Sequence, residues 1–381
     1  MAGGRSIFEE VGAGQAPAMP GPGRVTGGGA GARAAIRLWL LALFALVVLM
    51  IAVGGMTRLT DSGLSITEWR PVTGALPPVS EADWQAEFEK YRQIPQYQLL
   101  NRGMSLAEFK AIYWWEWGHR QLGRLIGLVW AAGFLWFLVR RRIPPGWTGR
   151  LLLPGVLGGV QGAIGWWMVA SGLSGEAVSV ASYRLATHLG LAFLILGLLW
   201  WLAQGLGRAP GALLQARRMR ETGLAAGAGA LVAFAGLQIL LGALVAGIDA
   251  GRGFTDWPLM GGAWLPPDPF ALTPLWRNFF EDAGLVQFLH RLGGYLLLLA
   301  ALVFWWRARQ SPHPATRRAC AWVLVAVFGQ MVLGIVTLLH GAPLQLAILH
   351  QLGAVAVLAA ILRARFLALH PLVAGLRGAR A

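Results

Sequence analysis

Two stretches decide the fold: EWGHRQLGRLIGLVW (116–130) and QFLHRLGGYLLLLA (287–300). Each sets His-Arg at the head of an apolar run, and each belongs to a repeat that covers the chain. GGMTRLTDSGLSITEWRPVTGALPP (54–78) pairs with AGIDAGRGFTDWPLMGGAWLPP (246–267). QGAIGWWMVASG (161–172) pairs with QMVLGIVTLLHG (330–341), and THLGLAFLILGLL (187–199) with LHQLGAVAVLAAIL (349–362). The segments match in order, so one half of the chain restates the other.

Composition assigns the class. Of 381 residues, 56% are hydrophobic and only 13% charged, against a usual charged share of about 25%. Mean hydropathy is +0.57. So few charges cannot cover a soluble protein of this size, and a disordered chain would be far less hydrophobic. What remains is an all-α polytopic membrane protein. Apolar stretches of about 20 residues predict eight transmembrane helices, near 36–56, 117–139, 151–171, 185–206, 223–247, 286–306, 319–340 and 344–363. The repeat then predicts two tandem pseudo-symmetric four-helix bundles with the axis along the membrane normal.

The net charge of +15 marks topology, and no nucleic acid is needed to explain it. Arg5, Arg24, Arg33 and Arg37 precede the first span; Arg140, Arg141, Arg142 and Arg150 follow the second. Arg208, Arg217, Arg218 and Arg220 follow the fourth, Arg307, Arg309, Arg317 and Arg318 the sixth, and Arg363, Arg365, Arg377 and Arg380 the last. The positive-inside rule puts these segments and both termini in the cytoplasm. The expected organisation is a disordered tail over 1–33, an N-terminal bundle over 34–208, a C-terminal bundle over 221–365 and a cytoplasmic tail over 366–381. The paucity of lysine suits a GC-rich bacterial genome. Glu9 and Glu10 argue against a mitochondrial transit peptide. A bacterial inner membrane is therefore expected over a mitochondrial one.

Four of the seven histidines stand at repeat-matched places: His119 and His290 on spans two and six, His188 and His350 on spans four and eight. All lie near the outer ends of their spans. A lone intramembrane histidine reads as an interhelical hydrogen-bonding residue. Four, duplicated with the fold, read as two bis-imidazole haem sites, with one ligand from each of two facing helices. The single cysteine, Cys320, leaves no disulfide or Cys-rich metal site. Haem propionates need cations near the rim, and Arg120, Arg124, Arg184 and Arg291 are the candidates; snorkelling to headgroups is the alternative. His313 and His370 are expected to be solvated, and His340 is assigned no role.

The halves differ at one position above all. Glu116 stands three residues before His119, on the same helical face, where the second half has Gln287. A carboxylate there suits proton uptake or stabilisation of developing positive charge; an exposed interfacial glutamate is the alternative. The first outer loop is also longer. Its Trp69, Trp84 and Tyr97, with Trp114, Trp115 and Trp117, could wall a large apolar ligand or form an interfacial belt.

These motifs, together with FKAIYWWEWGHRQLGRLIG (109–127), SYRLATHLGLA (182–192), NFFED and VQFLHR (286–291), resemble the haem A synthase (heme A synthase) family over about 50–360. The resemblance is to the cysteine-free subclass of proteobacteria and mitochondria, so no mechanism using a cysteine pair applies. It implies haem b held by His290 and His350, and haem O or haem A held by His119 and His188. It further implies Glu116 as the catalytic residue, with the C8 methyl of haem O oxidised to a formyl group by successive hydroxylations and loss of water. The implied setting is cytochrome oxidase assembly, with haem O synthase as a partner, an unidentified electron acceptor and a homo-oligomer as a further expectation. Two other readings stand beside it: a dihaem b-type electron-transfer cytochrome, and a repeat-built transporter.

Overall fold

A computed structural model describes residues 28–372. Eight helices in it are long and apolar enough to cross a membrane. They are Gly28–Leu59, Leu106–Val139, Thr148–Val169, Ser182–Leu206, Thr222–Gly247, Ala283–Ala308, Pro314–Leu339 and Leu344–Leu369, here spans one to eight. Among the described residues there is no strand, only an isolated bridge between Met260 and Ala263. The chain is an all-α polytopic membrane protein.

Three ends differ from expectation, each for a local reason. Span one begins at Gly28, so residues 28–33 are helix and not tail. The Arg33 guanidinium donates to the carbonyls of Gly205 (3.0 Å) and Arg208 (2.7 Å), occupying acceptors that the end of span four leaves open. The rest of the expected N-terminal tail lies outside the described residues. Span eight runs on to Leu369, because Phe366, Leu367 and Ala368 are buried and Arg363 reaches Gln204 Oε1 at 3.2 Å. Span two starts at Leu106, about three turns early. Ser105 and Glu108 form a capping box there, and a helix nucleated at such a box continues into the apolar run without a break.

Spans one to four pack together, as do spans five to eight. Spans one, four, five and eight also meet across the middle. Accordingly there are two main cores. One is built on Leu40, Leu43, Phe193, Leu196 and Leu199, and it takes Val355, Leu358 and Leu362 from span eight. The other runs through Ala228, Leu231, Leu297, Val323 and Ile361. Polar contacts pin the seam: Arg58 to the Gly247 carbonyl (3.2 Å) and Asp249 (2.8 Å), Trp200 to the Ala359 carbonyl (3.1 Å), and Gln351 to the Ile51 carbonyl (2.8 Å).

Corresponding loops adopt corresponding shapes. Asp61 and Asp249, which follow spans one and five, both sit in the left-handed region at φ 51° and 52°. Beyond them the loops diverge. The first carries short helices at Glu81–Arg92 and Pro95–Leu99. With the projecting start of span two they enclose an aromatic cluster of Trp84, Phe88, Tyr91, Phe109 and Tyr113, with Phe88 stacked on Phe109 at 4.9 Å. Trp84 and Tyr97 therefore belong to a packed cap over the N-terminal half, and no equivalent cluster covers the C-terminal half among the described residues.

Candidate functional site

Each of the four histidines leans on a glycine of the preceding span. A Cβ built on Gly54 would lie 3.1 Å from His119, one on Gly165 or Gly242 3.0 Å from His188 or His290, and one on Gly334 2.8 Å from His350. Any side chain at these glycines would press on an imidazole. His290 and His350 face each other with ring centroids 6.3 Å apart and planes at 90°. Two metal–nitrogen bonds of about 2 Å, added to the two ring radii, fill that separation. The spacing therefore fits one iron between the rings.

Three of the four histidines are also gripped through the backbone. Gln161 donates to the His188 carbonyl at 3.0 Å, Gln238 to that of His290 at 2.8 Å and Gln330 to that of His350 at 2.8 Å. Each glutamine stands one turn before the glycine that faces the same histidine, a Q-x-x-x-G pattern at 161–165, 238–242 and 330–334. At His119 the pattern fails: Met50 precedes Gly54.

Around Glu116 the structure builds a latch. The carboxylate is 3% exposed. One oxygen accepts from Ser65 Oγ (2.7 Å) and the Ile66 amide (2.8 Å), and the other from Arg120 Nη2 (2.6 Å) and Nε (3.1 Å). Arg120 goes on to the carbonyls of Ile66 (2.8 Å) and Glu68 (3.0 Å). In the other half Arg291 takes the repeat-matched carbonyls, Phe254 (2.9 Å) and Asp256 (3.1 Å), and adds Leu259 (2.8 Å). Gln287 donates to the Phe254 carbonyl at 3.0 Å and accepts from Arg291 at 3.2 Å. One design thus ties the loop after the preceding span to the His-Arg helix in both halves, through a carboxylate in the first and an amide in the second.

The other arginines also meet backbone first. Arg124 donates to the carbonyls of Pro71 and Arg70 (each 2.8 Å), and Arg184 to that of Trp167 (2.7 Å). These contacts tie part of each guanidinium to the backbone. Several buried donors nevertheless have no partner: Arg184 Nε, Arg291 Nε and Trp117 Nε1. Buried donors are rarely left so, and an anionic or carbonyl edge entering either site would satisfy them. The donor set therefore fits haem.

A cavity of about 200 Å³ adjoins the latch, lined by Glu68, Arg70, Glu87, Tyr113, Arg120 and Arg124. In this loop, Lys90 bridges Glu87 (2.7 Å) and Glu68 (3.2 Å). Elsewhere, His313 is buried, 8% exposed, at the start of span seven, and so is not solvated as expected. Ser311 Oγ accepts from its amide at 3.2 Å, which holds the turn against the bundle. The His370 ring lies tilted against Phe366 with centroids 4.9 Å apart, and His340 is exposed with Nδ1 2.8 Å from the Val336 carbonyl.

Sequence reasoning named the four histidines and Glu116 but missed both the latch partners and the glutamine grips. The thrice-repeated Q-x-x-x-G was the available signal for the grips. Nothing in sequence pairs Arg120 or Arg291 with a particular loop carbonyl.

Comparison with known proteins agrees with this geometry. A family model described as cytochrome oxidase assembly protein matches residues 37–362. Relatives named Heme A synthase are 66% identical in Dinoroseobacter shibae, 64% in Ruegeria pomeroyi and 61% in Paracoccus denitrificans. Each alignment covers 98% of this chain and 98 or 99% of the relative. With paired histidines on four spans and a match along nearly its whole length, the chain belongs to the haem A synthase family.

Proposed function

We infer that this protein converts haem O to haem A in a bacterial plasma membrane, in the service of cytochrome oxidase assembly. The observation that carries the reading is the pairing of four histidines in two like settings, with a carboxylate beside only one. Family membership supports the reaction, and the dihaem electron carrier loses its support, because the relatives named Heme A synthase match end to end.

In this reading the two tandem bundles have separate tasks. His119 and His188 hold the iron of the substrate haem, and His290 and His350 hold haem b. Haem b, when bound, supplies a one-electron centre that passes electrons to an acceptor. The chain's own residues do the rest. The aromatic cap over span two keeps water from the substrate half. Arg120 aims the Glu116 carboxylate through two side-chain bonds. Glu116 then takes up a proton, or steadies positive charge, as the C8 methyl is oxidised. Arg120, Arg124, Arg184 and Arg291 steer the propionates with whatever donors the loop carbonyls leave free. The basic segments put both termini in the cytoplasm and the haem sites toward the outer face. Delivery by haem O synthase and self-association complete the proposal.

The test uses Glu116→Gln. Gln287 demonstrates that an amide can work with arginine in this latch, so the variant keeps the fold while removing the charge. Wild type co-expressed with a haem O synthase should yield haem b with haem O and haem A on extraction. Glu116→Gln should yield haem b with haem O alone. Normal haem A from the variant would end the catalytic role of Glu116, and haem b alone from wild type would end the function.

A further inference from the structure

The missing fourth grip separates the two sites. Met50 occupies the place of Gln238, as the neighbouring helix records. A Cβ on Gly294, one turn after His290, would lie 3.6 Å from Gln238 Nε2, and one on Gly123, one turn after His119, would lie 3.5 Å from Met50 Cε. The methyl thus stands where the amide would stand and offers the His119 carbonyl no proton. The ring answers accordingly. At the three gripped histidines the facing glycine meets Cε1, whereas at His119 Gly54 meets Nε2, so the nitrogen needed for iron is turned toward span one. The grips are held at a cost: Oε1 of Gln161, Gln238 and Gln330 is buried and unpartnered, which is unfavourable in itself. Their shared presence at three sites points to a positioning task.

Building on the functional reading above, we propose that Met50 makes His119 the releasable ligand, so that the N-terminal site exchanges its haem while the doubly gripped C-terminal site retains one. The chemistry asks for this difference. A substrate haem must enter and a product haem must leave at every turnover, whereas the electron-carrying haem stays. A swing of the His119 imidazole would free one side of the bound haem, with His188, gripped by Gln161, holding the other. Met50 and Gln238 are accordingly positioning residues, acting through the histidines.

The experiment measures haem transfer from the purified full-length protein in detergent to excess apomyoglobin, resolving the transferred haem b, haem O and haem A by chromatography and mass spectrometry. Wild type should give up haem O and haem A quickly and haem b slowly. Met50→Gln should slow loss of haem O and haem A by about fivefold, the change that one net hydrogen bond of about 1 kcal/mol carries, with haem b unaffected. Gln238→Met should speed loss of haem b by a similar factor. Because the second variant could weaken the fold, Gln161→Met serves as its control: it should speed loss of the N-terminal haem and leave haem b in place. Equal release from both sites in wild type, or unchanged release of haem O and haem A in Met50→Gln, would overturn the proposal while leaving the functional reading intact. Wild type that contains no haem O or haem A would instead defeat that reading.

Discussion

The arginine after the histidine does the same thing in both halves, and the residue three positions before the histidine does not. Arg120 and Arg291 reach from the His-Arg helix to matched carbonyls of the preceding loop. Beside them stand Glu116, a buried carboxylate latch, and Gln287, an amide one. The neutral version holds its loop, so the fold does not require a charge there. A carboxylate retained in a buried place where an amide suffices points to chemistry. The same contrast recurs at the histidines, three gripped by glutamine and one faced by methionine, and again outside the membrane, where only the first half wears an aromatic cap.

Several substitutions would break or sharpen that contrast. The largest effect is expected from Glu116→Ala, which should abolish haem A formation. It also leaves the part-buried Arg120 without its counter-charge, a loss of about 3 kcal/mol or more. Gln287→Ala, assayed the same way for haem A and by thermal unfolding, should retain conversion and lose only about 1 kcal/mol. If the two variants behave alike, the halves are not divided as described. Next comes the latch itself: Arg120→Ala should free the 62–70 loop and Arg291→Ala the 254–259 loop. Limited proteolysis should find the new cleavage in the matching loop of each variant, not in both. Gln287→Glu should be tolerated, with Arg291 positioned to pair with the new carboxylate, and haem b content should not change.

The smallest effect concerns Asp256, whose carboxylate accepts from the amides of Gly261 (2.9 Å) and Gly262 (3.0 Å). Those amides hold its pKa below the ordinary carboxylate value. A lowered folded-state pKa stabilises the turn above the unfolded value, and that contribution fades as pH falls through the folded one. Asp256→Asn should therefore soften the second outer loop at neutral pH and make no difference in strong acid, as read by hydrogen exchange at Gly261 and Gly262.

What the sequence made legible follows from what each feature depends on. Span number follows from local hydropathy, and the eight helices were readable because a bilayer needs long apolar runs. The four histidines were readable because the repeat doubles them. Helix ends were harder: span two begins at a Ser105–Glu108 box beyond the apolar run, and span one is extended by Arg33 bonding to residues about 170 positions away. The loop contacts of the arginines were hidden for a related reason. Their partners are backbone carbonyls, which every residue carries, so composition cannot single out the ones that Arg120 or Arg124 will meet. His313 looked solvated from its basic surroundings, but its burial is set by how the turn before span seven folds back on the bundle.

The division of labour between the two histidine pairs is tested most directly by the haems of two double variants, each co-expressed with a haem O synthase and extracted after purification. His290→Ala with His350→Ala should lose haem b and keep haem O. His119→Ala with His188→Ala should keep haem b and lose haem O and haem A. Loss of the same haem from both proteins, or loss in the reverse order, would contradict the account.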